Sequence, residues 1–350
     1  MKSTGDFQIS VIVPVFNAEK QLRACLDALL AQTFGSYELI LVNNASRDRS
    51  PDICREYQAR RPDRVTVLDE PDQGVSYARN RGLDAASGQW IAFCDADDQP
   101  EPEWLARLHA NAIRENADLS CCAFRDISPD GEQIRTNFPL PEHRLLMDGA
   151  EEVRRRFLLP LLAGAPHVHG YLFASLFRRD RIKQGMVRFT PGVSMKEDEL
   201  FYMDYLCLTE RIIAEAVPLY RYIRGEESAT ALHRHSSDLR REKNWCCYTD
   251  ARLQIFRKHG LARLFPDQER ELAFRMYTHR VQAICCDPGE TFRQKMKKLR
   301  AAAQCARQDR PATRCISGRI FLLALFHCRV LLPLLCALKR RRDRKQRSRP

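Results

Sequence analysis

The sequence contains no G-x-G-x-x-G and no Walker A run, so neither the usual dinucleotide fingerprint nor a P-loop carries its chemistry. None of its fourteen cysteines falls in a C-x-x-C, and three pairs stand as adjacent doublets, Cys121–Cys122, Cys246–Cys247 and Cys285–Cys286. Neighbouring side chains of a doublet point to different faces, which excludes ordinary zinc or redox spacing and suits small buried hydrophobes in a reducing compartment. MKSTGDFQIS has no apolar segment before Asp6, so no secretory signal is expected. There is no internal repeat. Net positive charge is also small over most of the length. The formal charge is +12, but KRRRDRKQRSRP (339–350) sets eight basic residues against Asp343 and leaves only +5 for the other 338 residues. Basicity confined to a tail argues against a nucleic-acid binder.

What is present is an ordinary globular composition. Hydrophobic residues make up 44% and charged residues 29% of 350, enough for one large domain or two modest ones and too apolar for general disorder. Ile9 to Val13 predicts a strand ended by Pro14. Glu19 to Gln32 then sets Leu22, Cys25, Leu26, Leu29 and Leu30 on one helical stripe. Further strands are expected at Glu38–Val42, Val65–Leu68, Gln89–Cys94 and Asp118–Phe124. Helices should lie between them: Ser50, as N-cap, through about Arg61, then Val75–Ala86 and Glu101–Asn116. Near-continuous apolar strands alternating with helices predict an α/β fold, a mostly parallel sheet covered on both faces. Residues 126–235 are less regular and richer in turns, and residues 238–308 read as long charged helices, among them Leu239–Lys258 and Asp267–Cys286.

Open sheets of this kind bind ligands outside the carboxyl ends of their strands. PVFN (14–17), NNAS (43–46), EPDQG (70–74) and DADD (95–98) all fall there. Asp95 and Asp97 offer hard oxygen ligands to Mg²⁺ or Mn²⁺, which bridges a diphosphate. The same acidic knot also suits a helix-capping or solvent-facing turn, with Asp98 and Glu101 at the start of the following helix. GVSYARNRG (74–82) enters a helix carrying Arg79 and Arg81, a setting that favours phosphate oxygens or, equally, a solvated face. Glu197, Asp198 and Glu199 read on their own as a charged helix start.

Four segments in order, ISVIVPVFNAEKQLRACLDALLAQTF, YELILVNNASRDRS, GVSYARNRGLDAASGQWIAFCDADD and KEDELFYMDYL, resemble the successive signatures of family-2 glycosyltransferases. The likeness is to the bacterial capsule, exopolysaccharide and lipopolysaccharide enzymes of GT-A fold, and it covers roughly residues 8–230. It implies an inverting hexosyl- or N-acetylhexosaminyl-transferase that uses Mn²⁺ or Mg²⁺, a nucleotide-sugar donor and a saccharide or lipid-linked saccharide acceptor. By the resemblance, Pro14 and Phe16 lie beside the base, Asn44 and Asp48 in the base-recognition loop, and Arg79 near the diphosphate. Asp95 corresponds to the carboxylate near ribose and metal, Asp97 to the metal ligand and Asp198 to the catalytic base. Glu197, and Arg224 and His233 with Ser228 and Thr230 in the 217–235 loop, are implied at the acceptor or closing loop; His167 and His169 are a looser suggestion for the acceptor pocket. Asn44 departs from the family's aspartate, so the nucleotide need not be UDP. The implied organisation is a nucleotide-sugar-binding half (1–125), an acceptor and catalytic-base half (126–235), a helical extension (236–315) and a terminal apolar helix with basic tail (316–350). No Q-x-x-R-W occurs, which favours single transfer over processive synthesis. The alternatives are transfer to a polyprenyl phosphate and a non-catalytic nucleotide-sugar or nucleic-acid binding module.

Ile320 to Leu338 is the one long apolar run, but Arg329 sits at its midpoint. A central arginine costs roughly 2.5–3.5 kcal/mol on insertion, which its leucines only about balance. A helix lying in the interface, with the basic tail on anionic lipid at the cytoplasmic face of the membrane, fits better than a span; a protein-facing helix is the third arrangement.

Overall fold

The computed structural model describes residues 7–138, 144–163, 170–225, 238–264, 266–287 and 289–309. Four parallel strands open the fold, β1 (Ile9–Val15), β2 (Tyr37–Asn43), β3 (Val65–Asp69) and β4 (Trp90–Phe93), in the spatial order β3-β2-β1-β4. Every residue of β2 and β4 is buried, as a sheet covered on both faces requires. The covering helices are α1 (Leu22–Leu30), α2 (Ser50–Arg60) and α3 (Val75–Ala85). α1 buries Leu22, Cys25, Leu26 and Leu29 of the stripe its spacing predicts, and Leu30 is partly buried.

The starts of α1 and α2 differ from expectation in a way that bears on the loops beside them. α1 begins at Leu22 rather than Glu19, because Glu19 N–H is drawn to Asp48 Oδ2 at 3.0 Å. Ser50 is the first helical residue of α2 instead of its N-cap. Its hydroxyl accepts from Ala18 N–H at 2.8 Å, while Asp48 Oδ1 takes the Ser50 N–H at 3.0 Å. One carboxylate therefore ties two loops of the ligand edge together.

The second half completes the same sheet. After β5 (Gln99–Pro100) and α4 (Trp104–Arg114) come β6 (Leu119–Ile127), β7 (Gln133–Asn137) and β8 (Arg144–Asp148). α5 (Ala150–Val153) runs through a π-helical turn, Arg154–Leu158, into α6 (Leu159–Ala163). β9 (Ser175–Arg178), α7 (Arg179–Gln184), α8 (Glu197–Leu206) and β10 (Arg211–Ile223) follow. The full order is β3-β2-β1-β4-β9-β6-β10-β5, with β7 on β6 and β8 on β10. β9 runs antiparallel to both of its neighbours, β4 and β6. β10 was hidden in the sequence by Pro218, where its register against β6 shifts. This is the α/β, GT-A arrangement that the resemblance implies.

Gly82 allows α3 to close on β1, since a side chain there would collide with Ile12 Cγ2. That close approach carries Arg79, one turn earlier, over the end of β4.

The chain divides into two units, residues 1–231 and 232–350. The second contains α9 (Asp238–Lys258), α10 (Leu261–Leu264), α11 (Pro266–Cys286) and α12 (Phe292–Asp309). α9 and α11 are joined by His279 Nδ1 to Glu242 Oε2 at 2.7 Å. No helix among the described residues is long and apolar enough to cross a membrane. The apolar run 320–338 and the tail 339–350 lie outside the described residues.

Candidate active site

β4 delivers its apolar run into a tight turn closed by Asp98 N–H to Asp95 C=O at 3.1 Å. The turn separates the three carboxylates by burial. Asp98 is fully buried and satisfied by β10, whereas Asp95 and Asp97 keep part of their surface in solvent. Burial, with the charge of Asp95 added, pushes the Asp97 pKa up to about 6.

α8 supplies the second acidic group. Its first residues follow Lys196, a non-glycine in the left-handed region at φ 67°. Glu197 is buried, and Asp198 Oδ1 accepts the Glu199 N–H at 2.7 Å. Asp198 retains some exposed surface but is closely surrounded by protein. Burial first, and then the charge of Glu197, raise its pKa to about 7 against the pull of Arg79. A carboxyl of that kind exchanges its proton near neutrality, as acid–base work requires.

Arg79 brings the two groups together. Its Nη2 donates to Asp95 Oδ1 and its Nη1 to Glu197 Oε1, each at 2.9 Å. Burial opposes the guanidinium charge, but Asp95, Glu197 and Asp198 outweigh it and lift the arginine pKa above its ordinary value.

An aromatic cluster that the sequence reading missed borders these carboxylates. Phe173 stacks on Tyr220 at 4.6 Å and on Tyr222 at 5.5 Å, and Phe124 meets Tyr171 edge-on at 4.7 Å. Burial raises the Tyr222 pKa, with Asp98, Asp95 and Asp97 adding to it; burial likewise raises that of Tyr171, which also feels Asp198. Alternating aromatics in LYRYI (219–223) were the available signal, obscured by the broken register of β10.

The other expected residues divide. Phe16 is 47% exposed just past β1, and Pro14 is half-buried opposite Val42. Asn44 is turned inward: its amide donates to the Glu70 and Asp72 carbonyls at 3.2 and 2.7 Å and accepts from Gly74 N–H at 2.7 Å. Asp48 is occupied by the backbone N–H groups of Glu19 and Ser50. Arg224 grips buried Asp126 with two nitrogens, at 2.6 and 2.5 Å. His233, Ser228, Thr230, His167 and His169 lie outside the described residues. Among the described residues, no three His, Cys, Asp or Glu side chains form a ready metal cluster.

The family model for glycosyl transferase family 2 matches residues 10–183, from β1 through α7. The glycosyltransferase EpsJ of Bacillus subtilis (strain 168) is 28% identical over 260 residues, 73% of this chain and 71% of that protein. Glycosyltransferase YibD of Escherichia coli (strain K12) is 29% identical over 245 residues, 68% of this chain and 67% of its own. The crystal structure of S. aureus TarS 1–349 in complex with UDP-GlcNAc superposes with a TM-score of 0.64 at 17% identity, covering 96% of this chain and 92% of TarS 1–349, a likeness of fold. On the family match and the related sequences, residues 10–183 form a glycosyl transferase family 2 domain and the protein is a glycosyltransferase.

Proposed function

We propose that the enzyme transfers one sugar from a nucleotide-diphosphate sugar to a saccharide acceptor in surface polysaccharide synthesis, with inversion at the anomeric carbon and with Mn²⁺ or Mg²⁺ bound. The observation that carries this reading is the pair of Arg79 hydrogen bonds, which ties the Asp95 loop to the helix bearing Asp198.

Asp95 and Asp97 suit a divalent cation. Both are carboxylates, Arg79 takes only Oδ1 of Asp95, and the crowding that raises the Asp97 pKa is what a cation relieves. Asp95 and Asp97 would hold such an ion, and two side chains alone would leave it room for a bound donor. Bound there, the ion supplies Lewis-acid stabilisation for a departing diphosphate. Asp198 takes the proton from the acceptor hydroxyl as that oxygen attacks the face opposite the leaving group, a contribution of about 10²–10⁴ in rate. Phe16 offers an exposed ring to the base, while Asn44 and Asp48 brace the loops around it. The tyrosines at 171 and 222 border the side from which an acceptor sugar approaches.

A lipid-linked acceptor and attachment to the inner face of the cytoplasmic membrane through 320–350 complete the reading. They rest on the Arg329-interrupted apolar run and its basic tail. The test is nucleotide release from a panel of UDP-, GDP-, dTDP- and CMP-sugars, with NMR of the product's anomeric proton. A retained anomeric configuration overturns the single-displacement mechanism, and release with no member of the panel removes the donor assignment.

A further inference from the structure

We infer that Arg79 and Glu197 are positioning residues, whose ion pair, extended by Arg79 to Asp95, fixes the donor loop and the base-bearing helix at one spacing. The inference rests on the reading of Asp198 as base, and it gives Arg79 a role other than holding the diphosphate directly.

Arg79 is only 5% exposed. Both terminal nitrogens are taken, and its guanidinium lies 5.3 Å from the centre of the Phe189 ring. A guanidinium so enclosed cannot swing outward to a ligand without leaving two carboxylates unpaired, one of them buried. Its partners stand 16 and 118 residues away in sequence, so the contacts join three separate elements and serve no local helix need. α8 starts from a left-handed Lys196, and such a backbone persists only where its surroundings hold it in place. The Glu197 carboxylate on Arg79 is one such hold, and Lys196 Nζ on Glu199 at 2.8 Å is another. Asp198, between them, inherits its position from both.

The bridge also sets the charge around the base. The charged or titratable groups facing Asp198 are Glu197 and Glu199 on its own helix, Arg79 from α3 and Tyr171 ahead of β9. Glu199 is paired with Lys196, and Arg79 favours the ionised base, which leaves Glu197 as its chief opponent after burial. Removing that one charge while retaining the hydrogen bond should make the base easier to ionise.

Three variants of the full chain separate these effects. Glu197→Gln keeps an oxygen for Arg79 Nη1 without the charge. Glu197→Asp keeps the charge but withdraws it by a methylene, and Arg79→Lys keeps a cation that cannot fork to both carboxylates. The readouts are kcat and donor KM against pH, using the donor active in the panel, and the Asp198 carboxyl titration followed by NMR in [γ-¹³C]Asp-labelled protein. The Asp198 signal is assigned by its loss in Asp198→Asn. Glu197→Asp and Arg79→Lys are expected to lower kcat at least about 10-fold, with donor KM within about threefold, as misplacement of a reacting group does. Glu197→Gln is expected to move the acid limb and the carboxyl titration down together by about one pH unit. A kcat within twofold of wild type in Glu197→Asp and Arg79→Lys overturns the inference, as does an unmoved Asp198 titration in Glu197→Gln. If Asp198→Asn stays active, the base assignment fails instead. The titration of Asp198 in Glu197→Gln, read without any donor, then still judges the bridge.

Discussion

The Tyr220 hydroxyl donates to Asp98 Oδ2 at 2.8 Å, and the Ile223 N–H reaches Oδ1 of the same carboxylate at 2.9 Å. Asp98 is thus the member of the acidic cluster that holds β10 to the turn at 95–98. Asp98→Ala leaves a buried hydroxyl and a backbone N–H without their acceptor and should lower stability by about 2–4 kcal/mol in urea denaturation. Asp98→Asn, which keeps an oxygen for Ile223, should lose less. Equal losses in the two variants would contradict this role.

Asp198, with its pKa raised to about 7, dictates a pH profile. As a base it must be ionised, so kcat should climb between about pH 6 and 8, and Asp198→Asn should lose at least about 100-fold. Stability runs the other way. A carboxyl that titrates higher in the fold than in the unfolded chain binds its proton more tightly when folded, so its favourable contribution is full below about pH 4 and is lost as pH rises through 7. Asp198→Asn should therefore be more stable than wild type at pH 8, by about 1–3 kcal/mol after allowing for the solvent that reaches the side chain, and no more stable at pH 4. Thermal melts at the two pH values check this.

Metal removal offers a separate test. EDTA should abolish nucleotide release, and Mn²⁺ or Mg²⁺ should restore it; Asp97→Ala should fall at least about 100-fold even with the ion in excess. Turnover that is indifferent to EDTA would remove the cation from the reading.

Gly82 makes a prediction about packing. A methyl group at this position meets Ile12 Cγ2 in the central strand, so Gly82→Ala should lose about 1–3 kcal/mol. Gly35, with nothing within 4 Å of an added Cβ, is the control, and Gly35→Ala should stay within about 0.5 kcal/mol of wild type. A melting temperature unchanged in Gly82→Ala would mean that α3 can lift from β1.

The first 125 residues were legible because apolar strands and a 3.6-residue stripe are local patterns, and α1 buries Leu22, Cys25, Leu26 and Leu29 of its stripe while Leu30 at the end stays partly exposed. The Asp95 turn and Glu197–Asp198 were legible as motifs. Asn44 was less so, because its partners are backbone atoms of residues 70, 72 and 74 that only the folded loops bring within reach. Arg79 posed the same difficulty: nothing in GVSYARNRG tells whether its guanidinium faces a ligand or a carboxylate 118 residues on. Asp48 was legible only as a polar loop residue, because the N–H groups of Glu19 and Ser50 that its carboxylate accepts from come into reach only when the two loops fold together.

β9 enters the sheet between β4 and β6, although it is the last of the three to be synthesised. A nascent chain leaving the ribosome at residue 127 has therefore made two strands whose inner edges have nothing to bond, and unpaired edges of this kind recruit other chains. The strand at 175–178 closes that gap, and the helix carrying Asp198 follows it in the chain. Completion of the sheet therefore waits on a strand made about fifty residues later, and a fragment ending near residue 125 should precipitate.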